Sequence, residues 1–157
     1  MRIVVQRVKK SSVSVDGNII GSIGKGLNVL LGVTHEDTEK DADYLVEKLL
    51  GLRIFTDSED KMNLSISDLQ SSGVETGVLC ISQFTLFGDC RKGKRPAFVQ
   101  AAAPDMANEL YEYFLKQLRE KSVPGTRIEK GEFGADMTVE ITNDGPVTIL
   151  IDSTKLF

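Results

Sequence analysis

A chain of 157 residues suits one domain with a substantial core, and 41% hydrophobic with 27% charged residues is ordinary for a globular protein. Two cysteines, Cys80 and Cys90, exclude a disulfide framework and a multi-cysteine zinc site, and they fit a reduced, cytoplasmic compartment. The net charge of −4, from 19 basic and 23 acidic residues, argues against a broad nucleic-acid footprint, so any contact with RNA has to be local.

The first third reads as β structure. Residues 2–8 and 11–15 alternate or are β-branched, and Asp16-Gly17 is a hairpin signal because both positions tolerate positive φ. Residues 18–23 return from that hairpin, and the apolar run Leu27 to Val33 suits a strand buried on both faces. Arg7, Lys9 and Lys10 interrupt the opening apolar run, so it makes neither a signal peptide nor a membrane span.

A helix is expected to begin near Thr38, which forms a capping pair with Asp41, and Ala42, Leu45, Leu49 and Leu52 then make one apolar stripe. Residues 57–63 and the polar stretch Gln70 to Thr76 read as loops before a strand from Gly77 to Phe84. A second helix runs from Pro104 to Lys121, with Met106, Leu110, Phe114 and Leu118 on one face, and Pro124-Gly125 stops it. In the tail Met137, Val139 and Ile141 alternate with polar residues, Asn143-Asp144-Gly145-Pro146 turns the chain, and Val147 to Ile151 returns. Strands, then strands and helices alternating, then strands again imply one layered α/β domain over residues 1–157.

Familiar catalytic constellations are missing. His35 is the single histidine and lies between a strand and a helix, as a loop residue rather than a general base. Gly24-Lys25-Gly26 fails the phosphate-loop pattern, and Asp57, Glu59 and Asp60 lack the spacing of a calcium loop, so no metal and no cofactor is expected. Cys80, in an apolar strand, reads as a small buried hydrophobe. Three segments remain. Ser82-Gln83-Phe84-Thr85 puts polar side chains at a strand end, where they either reach a ligand or satisfy neighbouring backbone. Gly145-Pro146 is an X-Pro bond in a turn, where the trans form is the ordinary one. Arg91-Lys92-Gly93-Lys94-Arg95 packs four positive charges into five residues, which a solvated loop also explains.

Taken together, Ser82-Gln83-Phe84-Thr85-Leu86 and Asn143-Asp144-Gly145-Pro146-Val147-Thr148 resemble the paired signatures of the D-aminoacyl-tRNA deacylase family. Gly131-Glu132-Phe133-Gly134-Ala135-Asp136-Met137 resembles a third family segment, and the basic stretch and the opening Met1-Arg2-Ile3-Val4-Val5-Gln6-Arg7-Val8 fit as well, so the resemblance spans nearly the whole chain.

The resemblance implies a three-layer β/β/α domain in a homodimer with active sites at the subunit interface. It also implies hydrolysis of the ester between a D-amino acid and the terminal adenosine of tRNA, without membrane or DNA as partner. The Gly145–Pro146 bond is then cis, and its turn enters the partner's pocket, where backbone carbonyls exclude L-residues by steric clash; glycine escapes that filter, so some glycyl-tRNA is cleaved. Ser82, Gln83, Phe84 and Thr85 become the reaction side: Thr85 is either a nucleophile or a group that orients water, and the mechanism favoured here has backbone N–H groups around Gln83 and Phe84 polarise the ester while a ribose hydroxyl assists the water. Phe133, Ala135 and Met137 become a wall against the adenosine, and Arg91, Lys92, Lys94 and Arg95 contacts to acceptor-stem phosphates. Two other readings use the same scaffold: a noncatalytic dimeric RNA-binding module, and an esterase for small D-amino esters.

Overall fold

The computed structural model describes residues 1–156. Strand β1 (Arg2–Val15) turns at Asp16 and Gly17, at φ 49° and 78°, into β2 (Asn18–Ile23), and β3 (Gly26–Gly32) follows. Helix α1 (Glu39–Leu50) starts after Thr38, whose N–H and hydroxyl both donate to the Asp41 carboxylate at 2.9 Å. Then come β4 (Phe55–Thr56), β5 (Met62–Leu64), α2 (Ile66–Ser71), β6 (Gly77–Ser82), α3 (Pro104–Lys121), β7 (Arg127–Lys130) and β8 (Thr138–Asp152).

One sheet runs β2-β1-β3-β6-β7, with β8 also on β1. Strands β3, β6 and β7 pair in parallel, while β1 is antiparallel to β2, β3 and β8. β1 changes neighbours along its length: Arg2 to Val8 pair with β3 and Ser11 to Val15 with β2, while β8 follows the opposite edge throughout. Helices α1 and α3 bury Leu45, Leu49, Phe114 and Leu118 against Val5, Leu27, Val29, Val78 and Cys80. A smaller cluster of Val8, Val13, Ile23, Leu79 and Ile81 lies apart. Alternate residues of β6 thus enter two different apolar clusters, which is why its sequence is apolar throughout.

Several expectations need correction. Residues 2–15 are one strand rather than two. The segment 57–63 is partly closed by the β4–β5 pair, and Gln70 lies inside α2, whose start is capped by Ser65 accepting from the Asp68 N–H at 3.1 Å. The strand expected to reach Phe84 stops at Ser82. Most consequential is the tail. Residues 138–152 do not fold back as a hairpin but form one strand, both halves of which pair with β1. Gln6 faces Thr148 and Val8 faces Asn143, so five steps of β8 oppose two of β1, and Asp144-Gly145-Pro146-Val147 bulges out across Arg7. Turn-forming residues here make a bulge because β1 supplies the pairing partner for both flanks.

Asp152 closes β8 and is buried. Burial pushes its carboxyl up, but hydrogen bonds from Thr154 and Arg2 outweigh that and hold it below the ordinary value of 3.8. A carboxyl depressed in the folded state contributes stability above its unfolded pKa and loses it as pH falls through the folded value. Urea midpoints are therefore expected to drop as pH falls below about 5, and Asp152→Asn to flatten that slope.

Candidate active site

Where β6 ends, Gln83 takes φ −145° and ψ 83°, and residues Phe84–Phe87 form a 3-10 turn. The turn lies close against β3 because Gly32 is there: a Cβ on it would stand 3.0 Å from Leu86 Cβ and 3.1 Å from the Gln83 carbonyl oxygen. Arg2 ties the turn down from the other side. Its Nη1 donates to the Leu86 carbonyl at 3.2 Å, its guanidinium lies 4.4 Å from the Phe87 ring centre, and its Nε meets Asp152 at 2.7 Å.

The backbone donors differ from expectation. The Gln83 N–H is engaged by the Leu31 carbonyl at 2.7 Å and is not available to polarise an ester. The first N–H groups of a 3-10 turn have no intrahelical acceptor, and here those are Phe84 and Thr85. The Gln83 side chain donates from Nε2 to Thr85 Oγ1 at 2.6 Å, which fixes the hydroxyl as acceptor and leaves its own proton to be donated outward.

Ser82, Gln83 and Phe84 line a pocket of about 770 Å³, inside the range of small-molecule sites. Phe133, Ala135 and Met137, on the connection from β7 to β8, form another wall. Tyr111 of α3 joins the walls: its hydroxyl reaches the carbonyls of Cys80 at 2.8 Å and Gly131 at 3.3 Å, and its ring lies 6.0 Å from that of Phe133. Burial, then the neighbouring Cys80 and Glu112, push the Tyr111 hydroxyl up; burial and then Glu112 do the same to the Cys80 thiol. The Tyr111 hydroxyl is committed to two carbonyls and Cys80 is buried away from the pocket lining, so neither is placed to act as a nucleophile.

Two lining elements were not legible as such. His35 reaches the pocket, with its Nε2 2.7 Å from the Val99 carbonyl oxygen, and residues 98–104 close the rim with Phe98, Ala101, Ala102 and Pro104. Thr34 Oγ1 donates to the Gln100 carbonyl at 2.5 Å and the Ala102 N–H to the Val33 carbonyl at 3.0 Å, so this segment is docked on the end of β3. Among the described residues no group of three or more His, Cys, Asp or Glu side chains is placed to hold a metal ion.

The remaining expected residues lie outside this pocket. Thr85 is exposed beside it. Gly145 and Pro146, joined by a cis peptide, are exposed on the bulge of β8 and do not line the pocket of their own chain. The bulge is held by Arg7, whose Nε donates to the Asp144 carbonyl at 3.0 Å and whose Nη1 donates to the Ile54 carbonyl at 2.5 Å. Arg91, Lys92, Lys94 and Arg95 are exposed on one loop. Arg91 is clamped by Asp89 through Nε at 2.9 Å and Nη2 at 2.7 Å, and these bonds hold the Asp89 carboxyl down to about 2. The loop's free positive charge is therefore carried by the other three.

Fold and pocket together define a mixed α/β domain with preorganised backbone donors beside an apolar cleft. Residues 4–152 match the model of the family described as D-Tyr-tRNA(Tyr) deacylase, and the chain belongs to that family. It is 57% identical over 157 residues to the D-aminoacyl-tRNA deacylase of Clostridioides difficile and 59% identical to that of Clostridium tetani, each covering 100% of both chains. Among solved structures it resembles one described as c-Myc DNA Unwinding Element Binding Protein, at TM-score 0.88 and 44% identity, covering 97% of this chain and 98% of that one. It also resembles a probable eukaryotic D-amino acid tRNA deacylase at TM-score 0.77, covering 96% of this chain and 98% of that one; at 20% identity that likeness speaks to the fold alone.

Proposed function

We propose that this chain hydrolyses the ester of D-aminoacyl-tRNA, releasing the free D-amino acid and tRNA in the cytoplasm. One observation carries the reading: Ser82–Phe84 at the end of β6 and the Phe133–Met137 wall close on a single pocket, in a chain whose relatives at 57–59% identity over the full length bear that name. The pocket receives the terminal adenosine against Phe133, Ala135 and Met137, with the ester carbonyl at the Phe84 and Thr85 N–H groups. Those donors stabilise the oxyanion as water attacks, and the neighbouring ribose hydroxyl takes part in moving the water's proton. Ser82 and Gln83 shape this side, Gln83 by orienting Thr85.

The chirality filter is assigned to Gly145 and Pro146 of a second copy. What supports this is their position: both are exposed, anchored from behind by Arg7, and absent from their own chain's pocket. The functional unit is thus a homodimer of three-layer β/β/α protomers, with each site completed across the interface. A backbone filter accepts many D side chains and also passes glycine, so glycyl-tRNA is a minor substrate.

The test compares release of tyrosine from D-tyrosyl-tRNA and L-tyrosyl-tRNA in parallel. Faster cleavage of the D-ester is expected; equal rates would defeat the chiral reading, and tRNA binding without cleavage would leave the noncatalytic module. Comparable turnover of free D-tyrosine esters would instead point to a small-ester esterase.

Two substitutions probe the roles of single residues. Thr85→Ala is expected to retain activity within about tenfold, since the donors are backbone groups; complete loss with normal folding and tRNA binding would make the hydroxyl a nucleophile. Neutralising Lys92, Lys94 and Arg95 together is expected to raise KM for the tRNA and to reduce the salt slope by roughly two to three, about 0.9 or less for each phosphate left without its cation. An unchanged slope would make these side chains merely solvated. Arg91→Gln should matter less, because Asp89 already occupies its guanidinium.

A further inference from the structure

The pocket's mouth carries two aromatic rings that its floor does not bury. Phe84 is 56% and Phe98 39% exposed, and their rings meet edge to face with centroids 5.1 Å apart. In such a pair one ring contributes only its edge, so both of its faces stay clear of the other. The arrangement is held firmly. The Ala101 N–H donates to the Phe98 carbonyl at 3.0 Å, His35 holds the next carbonyl, and Asp89 and Ala97 exchange backbone hydrogen bonds at 2.7 and 2.9 Å. Gly88 leaves the seat for the ring: a Cβ there would stand 3.1 Å from Phe98 Cε1. Immediately beyond the Asp89–Ala97 bridge lies the loop with exposed Lys92, Lys94 and Arg95, none of which enters an ion pair among the described residues.

An apolar pocket, an aromatic rim and a cationic loop therefore follow one another along the chain, from the pocket lining through Phe98 and the Asp89–Ala97 bridge to residues 92–95. That succession matches a single-stranded RNA end: a buried nucleoside, then a base needing a π face, then phosphates needing positive charge. We propose that Phe98, with Phe84 beside it, is the stacking platform for the pyrimidine base preceding the terminal adenosine of the tRNA, and that Lys92, Lys94 and Arg95 take the phosphates upstream. The proposal rests on the reading that the pocket holds the terminal adenosine. It adds a second subsite, which makes the enzyme read the RNA end and not only the amino acid.

The experiment uses the full chain and two substrates, D-tyrosyl-tRNA and the D-tyrosyl ester of adenosine alone, which lacks the preceding base. Wild-type cleavage of D- over L-tyrosyl-tRNA is measured first; if that fails, the functional reading fails before the platform is addressed. Phe98→Ala and Phe98→Leu are expected to raise KM for D-tyrosyl-tRNA about tenfold with little change in kcat, as loss of one base–aromatic stack does. Because Phe98 also closes the rim of the pocket, KM for the adenosine ester should rise as well, but several-fold less than for D-tyrosyl-tRNA, and Phe98→Tyr should match wild type on both substrates.

Equal effects on the two esters would overturn the proposal, because the ring would then only shape the pocket. So would a leucine variant indistinguishable from wild type, or no effect at all. A shift of the variants toward monomer in sedimentation would overturn it too, by showing that a second copy covers the rings. Should the alanine variant fold poorly, the leucine–tyrosine comparison still decides.

Discussion

Gly145→Ala is expected to slow cleavage of D-tyrosyl-tRNA by about 10²-fold, the penalty typical of displacing a positioning group by about 1 Å. Gly145 sits at φ +124°, which L side chains rarely adopt, and an added Cβ would stand 3.0 Å from Val147 Cγ2 and 3.1 Å from Arg7 Nη2. The methyl group cannot be accommodated by moving Arg7 freely. That side chain is nearly buried and is committed to the carbonyls of Asp144 and Ile54 and, at 3.3 Å, to the Asp144 carboxylate. Shifting it would leave a buried guanidinium poorly paired, so the bulge itself moves instead. The backbone strain also costs about 1–3 kcal/mol of stability, so thermal unfolding should be followed beside single-turnover rates on both enantiomers. A folded variant with the wild-type D rate and the wild-type D over L ratio would remove Gly145 from the site.

Asp37→Asn is expected to destabilise the protein by about 3–5 kcal/mol, the cost of leaving a buried charge without its partner. The Met1 ammonium is buried and pairs with Asp37 Oδ1, while Ser153 Oγ accepts from it at 2.9 Å. The second Asp37 oxygen accepts the Thr34 N–H at 2.7 Å, at the base of the segment that leads to His35. Asparagine would offer one acceptor where two are used, and no charge. Against a typical total of about 5–15 kcal/mol, such a loss puts a large unfolded fraction within reach of moderate urea. Ser153→Ala, which removes only a neutral partner, should cost about 1 kcal/mol. Equal urea midpoints for Asp37→Asn and Ser153→Ala would show that the ammonium is hydrated in solution.

What is legible in the sequence is what depends on local signals. The Asp16-Gly17 hairpin, the Thr38–Asp41 pair and the span of α3 can be read because each depends on neighbours within a few residues. Helix α2 has six residues, too few to display a period, and only its Ser65–Asp68 cap marks it. Strand β7, Arg-Ile-Glu-Lys, carries charge at three of four positions and owes its conformation to pairing with β6. The tail is the clearest failure. Asn143 to Pro146 has the chemistry of a turn, but whether flanking strands pair with each other or with a third is decided by distant β1. For the site, the Ser82–Leu86 and Phe133–Met137 segments could be named because they are contiguous. Tyr111, Phe98 and Ala102 could not, since ordinary core-type residues become a pocket only when α3 and the rim segment dock.

Every residue of β1 from Arg2 to Gln6 has a strand on each side. Its amides therefore have no low-energy opening that frees one without breaking a neighbour, and hydrogen exchange there should proceed only through global unfolding. The loop of residues 91–95 should exchange at once. The molecule thus divides into a slow spine and a fast fringe, and Arg7 lies just past that doubly paired stretch, at the start of the slipped register. A bulge anchored there inherits the timescale of the whole fold, so the geometry around Gly145 should persist for as long as the protein stays folded.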